Sequence, residues 1–135
     1  MYSIEKTGYG FKLTLAGHMN AEEIGNWIKL CKEELDTQVP GFGVLLDMRK
    51  LQPLPEDALQ DLRKAQWLFK TTGMVRSAII VNSVVLKTHL THMAKQLGIY
   101  NWERYIDAST DSDWEKTTMD WIERAVDPDT AVAVY

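Results

Sequence analysis

Between Phe42 and Leu59 the chain reads Phe-Gly-Val-Leu-Leu-Asp-Met-Arg-Lys-Leu-Gln-Pro-Leu-Pro-Glu-Asp-Ala-Leu. The run Val44-Leu45-Leu46 has no polar alternation, the pattern of a strand covered on both faces. The run ends at Asp47. A proline-bearing loop is expected next, and Pro55-Glu56-Asp57 then starts a helix: proline suits the first helical turn, and acids there offset the N-terminal dipole. A buried strand that leads into a helix N-terminus is where open α/β sheets hold ligands.

The flanking sequence repeats this logic. Phe11 to Ala16 alternates as a half-buried strand, with Tyr2 and Ile4 on a partner strand and Gly8-Tyr9-Gly10 as the turn. Asn20 and Glu23 form a capping-box pattern. The helix behind it places Ile24, Ile28, Cys31 and Leu35 on one face. The second helix builds an inner face from Leu59, Leu62, Ala65 and Phe69 and stops at Gly73. Ala78-Ile79-Ile80-Val81 is another buried strand. Asn82 or Ser83 then caps a third helix with Leu86, Leu90, Met93 and Leu97 inside and Gly98 as its C-cap. Trp102 to Ala108 reads as a last strand. Ser112 and Glu115 form a second capping box, followed by a helix with Trp114, Thr118, Trp121 and Ala125 on one face. The order is ββαβαβαβα, with parallel pairing after an antiparallel opening hairpin. The expectation is a single α/β domain, a mixed β-sheet with about four α-helices over residues 1–126, and a tail over 127–135.

Composition narrows the function. The 135 residues carry a net charge of -4, with Lys and Arg scattered. No basic field is available for a phosphate backbone, so no nucleic-acid partner is expected. The N-terminus lacks the basic and apolar regions of a signal peptide, and no run is long enough for a membrane span. A cytoplasmic protein is expected. Cys31 is the single cysteine, so an intrachain disulfide is excluded.

The order of elements and the Phe42–Leu59 junction resemble the STAS domain, the fold of bacterial anti-sigma-factor antagonists. The resemblance is to its divergent sporulation-antagonist-like branch, which is grouped with SEC14-like lipid-binding domains, and it covers about residues 1–126. Members typically end the central strand with Asp-Leu-Ser-Gly and open the next helix with Asp-Ser-Ser-Gly-Leu, where one serine is phosphorylated by a partner kinase. Here the first motif falls on Asp47-Met48-Arg49-Lys50 and the second on Pro55-Glu56-Asp57-Ala58-Leu59. Asp47 and Leu59 match by identity, and the switch serine falls on Asp57. The resemblance implies a non-enzymatic regulatory or protein-interaction domain without a phosphorylatable switch. Two readings of Glu56 and Asp57 stand: an imitation of the phosphorylated state, with less charge than a phosphate, or an ordinary acidic helix start.

Other constellations are weaker. His89 and His92 sit three apart on a helix, but no acid joins them and His18 is remote, so no metal or other cofactor is expected. Cys31 lies on an apolar helix face and reads as a core thiol. Asp47 has no positioned base or nucleophile to complete a catalytic mechanism and reads as a loop anchor. Trp67 and Leu68 fall off the inner face of the second helix; either neighbouring elements, the third helix or the tail, cover them, or they mark an interface for a protein partner or a second copy. The partner-binding set is therefore Asp47, Pro55, Glu56, Asp57, Trp67 and Leu68. The alternative is a small amphipathic or lipid-like ligand in a crevice between sheet and helices, which requires an apolar pocket of roughly 300 Å³ or more. Residues 130–135 read either as an edge strand or as a frayed terminus.

Overall fold

The structure, a computed structural model, describes residues 1–130. Strands β1 (Tyr2–Lys6) and β2 (Gly10–Gly17) form the expected hairpin, with Tyr2 opposite Leu15 and Lys6 opposite Phe11. The Thr7 amide donates to the Gly10 carbonyl at 2.8 Å and closes the turn. Then come α1 (Ala21–Leu35), β3 (Phe42–Leu51), α2 (Glu56–Thr72), β4 (Met74–Val81), α3 (Val84–Leu97), β5 (Glu103–Asp107) and α4 (Trp114–Arg124). The edge strand expected over 130–135 lies, apart from Thr130, outside the described residues.

The five strands run in the order β1-β2-β3-β4-β5 and are parallel from β2 onward. When strand order advances in one direction, right-handed crossovers put every crossover helix on the same face. Accordingly α1, α2 and α3 share one face, over Phe11, Leu13, Val44, Leu46 and Ile79. The opposite face, with Leu45, Ala78, Ile80 and Ile106, is covered by Trp121 and Ile122 of α4. This two-sided cover is why Val44-Leu45-Leu46 is apolar throughout.

Two glycines allow the close packing at the base of the sheet. Gly10 has φ +146° and pairs with Gly43, and a Cβ there would lie 2.1 Å from the Gly43 carbonyl oxygen. A Cβ on Gly43 would meet Ile122 Cγ2 at 2.3 Å, so α4 approaches β3 only because that position is bare.

Several boundaries differ from those expected. The central strand does not end at Asp47. It continues to Leu51 because Lys50 and Leu51 pair with Ala16 and Gly17 beyond a register shift, and the Gln52 amide donates to the Gly17 carbonyl at 3.0 Å. The loop is thus only residues 52–55. Ile28, expected on the core face of α1, packs at the margin of the core, while the neighbouring Trp27 is 1% exposed and central to it. In α2 Ala58, rather than Leu59, is fully buried. The Ser112–Glu115 capping box does not form. The N-cap of α4 is Asp113, without a side-chain cap, and Asp111 just before it accepts from the Asp113 amide at 2.9 Å and the Thr117 hydroxyl at 2.8 Å. Ala125 leaves the buried face and ends α4 in a left-handed conformation. The other caps form as read: Asn20 accepts from the Glu23 amide at 2.9 Å, Ser83 accepts from the Leu86 amide, and Gly73 and Gly98 terminate α2 and α3.

Candidate functional site

The segment from Asp47 to Leu68 places its residues on different sides of the molecule. Asp47 lies on the α4 side of the sheet. The Arg49 guanidinium holds it in a two-point pair at 3.0 and 2.8 Å, and the Arg49 amide donates to it at 3.0 Å. Arg49 in turn stacks over the Trp114 ring at 4.4 Å. Burial opposes ionisation of Asp47, but the hydrogen bonds and charge of Arg49 outweigh it and hold the carboxyl below its usual range. Pro55, Glu56 and Asp57 are exposed at the start of α2. Pro55 is the N-cap and has no capping side chain; Asp57 accepts from the Ala58 amide at 2.8 Å.

Trp67 is 52% exposed. Its covered edge packs on Trp102 in a T-shaped arrangement, 6.0 Å between ring centroids. Leu68 is half-buried and packs against the main core. His89 and His92 are exposed on α3, and no group of three possible metal ligands occurs among the described residues. Cys31 is buried, and desolvation, with Glu34 nearby, pushes its thiol up to about 12. No helix of the structure is long and apolar enough to cross a membrane.

A largely apolar cavity lies elsewhere. A pocket of about 360 Å³ separates α2 from α3. Its floor is the sheet, through Met48, Ile79 and Tyr105, and Pro53 and Leu54 of the short loop line it as well. Leu59, Leu62, Arg63 and Gln66 come from α2; Leu86, His89, Leu90, Met93, Ala94 and Leu97 come from α3. The third-helix residues expected inside are therefore not closed into a core. Ala94 is the one buried residue of α3, while Leu86 is 39% and Leu97 55% exposed. The reason is geometric. α3 packs chiefly on β5, and what it buries lies at its C-terminal end, at Ala94 and the following Ile99. Its apolar stripe stands off α2 and lines the space between them.

Beneath the floor is a polar network that periodicity gave no reason to expect. Glu103 is almost fully buried, and its carboxyl forms no ion pair among the described residues. Gln66 Nε2 donates to both of its oxygens at 3.0 Å, Ser77 Oγ donates at 2.9 Å, and the Tyr105 hydroxyl also donates to it. Burial raises the Glu103 carboxyl above its ordinary range, although these donors favour the ionised form. Glu103 does not line the α2–α3 pocket; Gln66 and Tyr105 stand between them. The sequence signal was an acid at the start of the last strand, next to Trp102; when buried, an acid is seldom left there unless fully hydrogen-bonded.

A further cluster ties residues 127–129 to the domain. Arg104 pairs with Asp127 at 2.8 Å and lies over the Tyr100 ring at 3.6 Å, while Tyr100 donates to Asp129 at 2.6 Å. The Arg104 hydrogen bond lowers Asp127 to about 2.

No family model matches the chain, and no curated protein matches it. Among solved structures, it is similar to an uncharacterized protein of the DUF3478 family with a SpoIIAA-like fold from Shewanella loihica PV-4. The two are 19% identical, the match covers 90% of this chain and 92% of the other, and the TM-score is 0.66. The mixed five-stranded sheet, its helices and this likeness establish a divergent STAS-like, SpoIIAA-like α/β fold.

Proposed function

We propose that this domain is a non-enzymatic binding protein of the cytoplasm that takes a small amphipathic ligand into the α2–α3 pocket. The observation that carries this reading is the apolar stripe of α3, which lines a cavity of about 360 Å³ instead of packing into the core. That volume falls within the range of about 300–1,000 Å³ typical of small-molecule sites. Binding is favoured over catalysis because the polar groups at the floor, Gln66 and Tyr105, are committed to Glu103, and the one potential base in the lining, His89, has no carboxylate, serine, threonine, cysteine or lysine beside it there. The test is native mass spectrometry of protein gently purified from its own cells, beside a Leu90→Trp variant. A bound small molecule carried by the wild type and lost from the folded variant is the expected result. Equal, ligand-free masses for both would count against the reading.

A second reading rests on Trp67, whose indole is half exposed beside Lys64 and Lys70. In it, Pro53 to Leu68 forms a regulatory surface for a protein partner or a second copy, with Asp57 in place of a switch serine. Leu68 packs on the core, so the informative variant is Trp67→Glu alone. It should abolish partner pull-down or self-association while leaving the melting curve in place.

A further inference from the structure

The pocket between α2 and α3 has an uneven charge distribution. No aspartate or glutamate lines it, although acids outnumber Lys and Arg 19 to 15 in the chain. Its one formally charged lining residue is Arg63. Arg63 is half-buried and forms no ion pair among the described residues, whereas Arg49, Arg104 and Arg124 all do. His89, exposed on α3, lines the same pocket and brings a second possible donor to its solvent side. One turn along α2 from Arg63, Gln66 is tied to the buried carboxyl of Glu103. The pocket thus has a cationic group near solvent and apolar walls, with an acid under its floor.

We infer that the ligand is an apolar carboxylate, a medium-length hydrocarbon acid whose headgroup pairs with Arg63 and whose tail lies between Leu59 and Leu62 of α2 and Leu90 and Met93 of α3. This inference rests on the ligand-binding reading of the pocket and adds the sign and position of the ligand's charge. A guanidinium meets a carboxylate with two parallel hydrogen bonds, and a pair on a partly desolvated wall is stronger than one in open water. The opposite orientation, headgroup down, would bring a carboxylate toward Glu103 and place its charge among Ile79, Leu62 and Tyr105, with no cation to meet it. A ligand with a cationic head would instead face Arg63, a like charge.

The experiment compares decanoate, 1-decanol and decylamine, each below the concentration at which it aggregates, by calorimetry on the full chain. The wild type should prefer decanoate over decanol by about tenfold or more, with decylamine weakest. Arg63→Gln should erase that preference and leave decanol affinity within about twofold, while Arg63→Lys should keep part of it. A folded Leu90→Trp variant should lose all three probes, which locates them in the pocket. Equal wild-type affinity for decanoate and decanol would overturn the charge assignment and leave the pocket reading standing. A decanoate preference that survives Arg63→Gln would overturn the role of Arg63. Probes that bind Leu90→Trp as well as wild type, or that bind neither protein, would overturn the pocket reading and this inference together.

Discussion

Helices α1 and α3 carry nearly the same sequence signal and end in opposite environments. Each starts at a side-chain cap, Asn20 or Ser83, and each repeats apolar residues at spacings of three and four. α1 lies closed on the sheet and on α2, with Ile24, Trp27, Cys31 and Leu35 all buried. α3 buries only Ala94 and leaves Leu86, Leu90, Met93 and Leu97 along a cavity. Periodicity specifies that a helix has an apolar face; the distance to the neighbouring element decides whether that face is a core or a binding wall. A stripe of this kind exposed to water is unfavourable by roughly 25 cal/mol per Å² of apolar surface, and a bound apolar ligand would recover part of it.

The comparison is open to direct attack. Trp27→Ala empties a position in the closed half and should cost about 3–5 kcal/mol in urea denaturation. A loss under about 1 kcal/mol would mean that α1 is not the closed helix described. Thiol labelling gives a contrast of similar size. Cys31, buried with its thiol raised to about 12, should react at least about 10³-fold more slowly than an accessible thiol, because exposing it requires opening the domain. A cysteine introduced as Leu90→Cys should react far faster, and added decanoate should slow it; comparable rates would erase the distinction between the helices.

Smaller effects are expected on the open side. Met93→Ala should cost less than about 1.5 kcal/mol, below the usual 2–5 kcal/mol for a packed methionine, because its side chain already borders a cavity. A full-sized loss would show that α3 is packed after all. Glu103→Gln tests the floor that α2 shares with the pocket. The folded-state carboxyl lies above its ordinary value, so wild-type stability should decline as pH rises from the ordinary carboxyl range through the folded pKa. The variant lacks that decline. It should be less stable than wild type by about 1 kcal/mol near pH 4, and the gap should close or reverse by about pH 7. A pH-independent gap would mean that folding does not shift the Glu103 carboxyl.

The α/β architecture was readable because its signals are local. Val44-Leu45-Leu46 and Ala78 to Val81 require cover on two faces, Asn20 and Gly98 punctuate helices, and helical connections between strands imply parallel pairing. Where local signals competed, the reading failed. Asp47 resembles a strand end, but Lys50 and Leu51 find partners in β2 and keep the strand going. Ser112 resembles a cap, but the helix begins after Asp113, one residue later, with no side chain capping it. The candidate site was less legible. Asp47 and Glu56 are neighbours in motif terms, yet Asp47 faces α4 beside Trp114 while the loop before Glu56 lines the opposite side of the sheet. Arg63 gave no signal of its own, since one arginine on an amphipathic helix ordinarily points to water.

By itself the sequence determined the order of the elements, the strands that must be buried and the helix faces that must be apolar, since these follow from spacing, capping and turn chemistry within a few residues. Only the tertiary structure decided that the α3 stripe lines a cavity, that Arg63 of α2 stands on its wall and that Gln66, Ser77 and Tyr105 converge on Glu103. Those facts depend on how far apart α2, α3 and the sheet settle. That separation reflects side-chain volumes and anchoring points summed over residues distant in the chain, which no local pattern encodes.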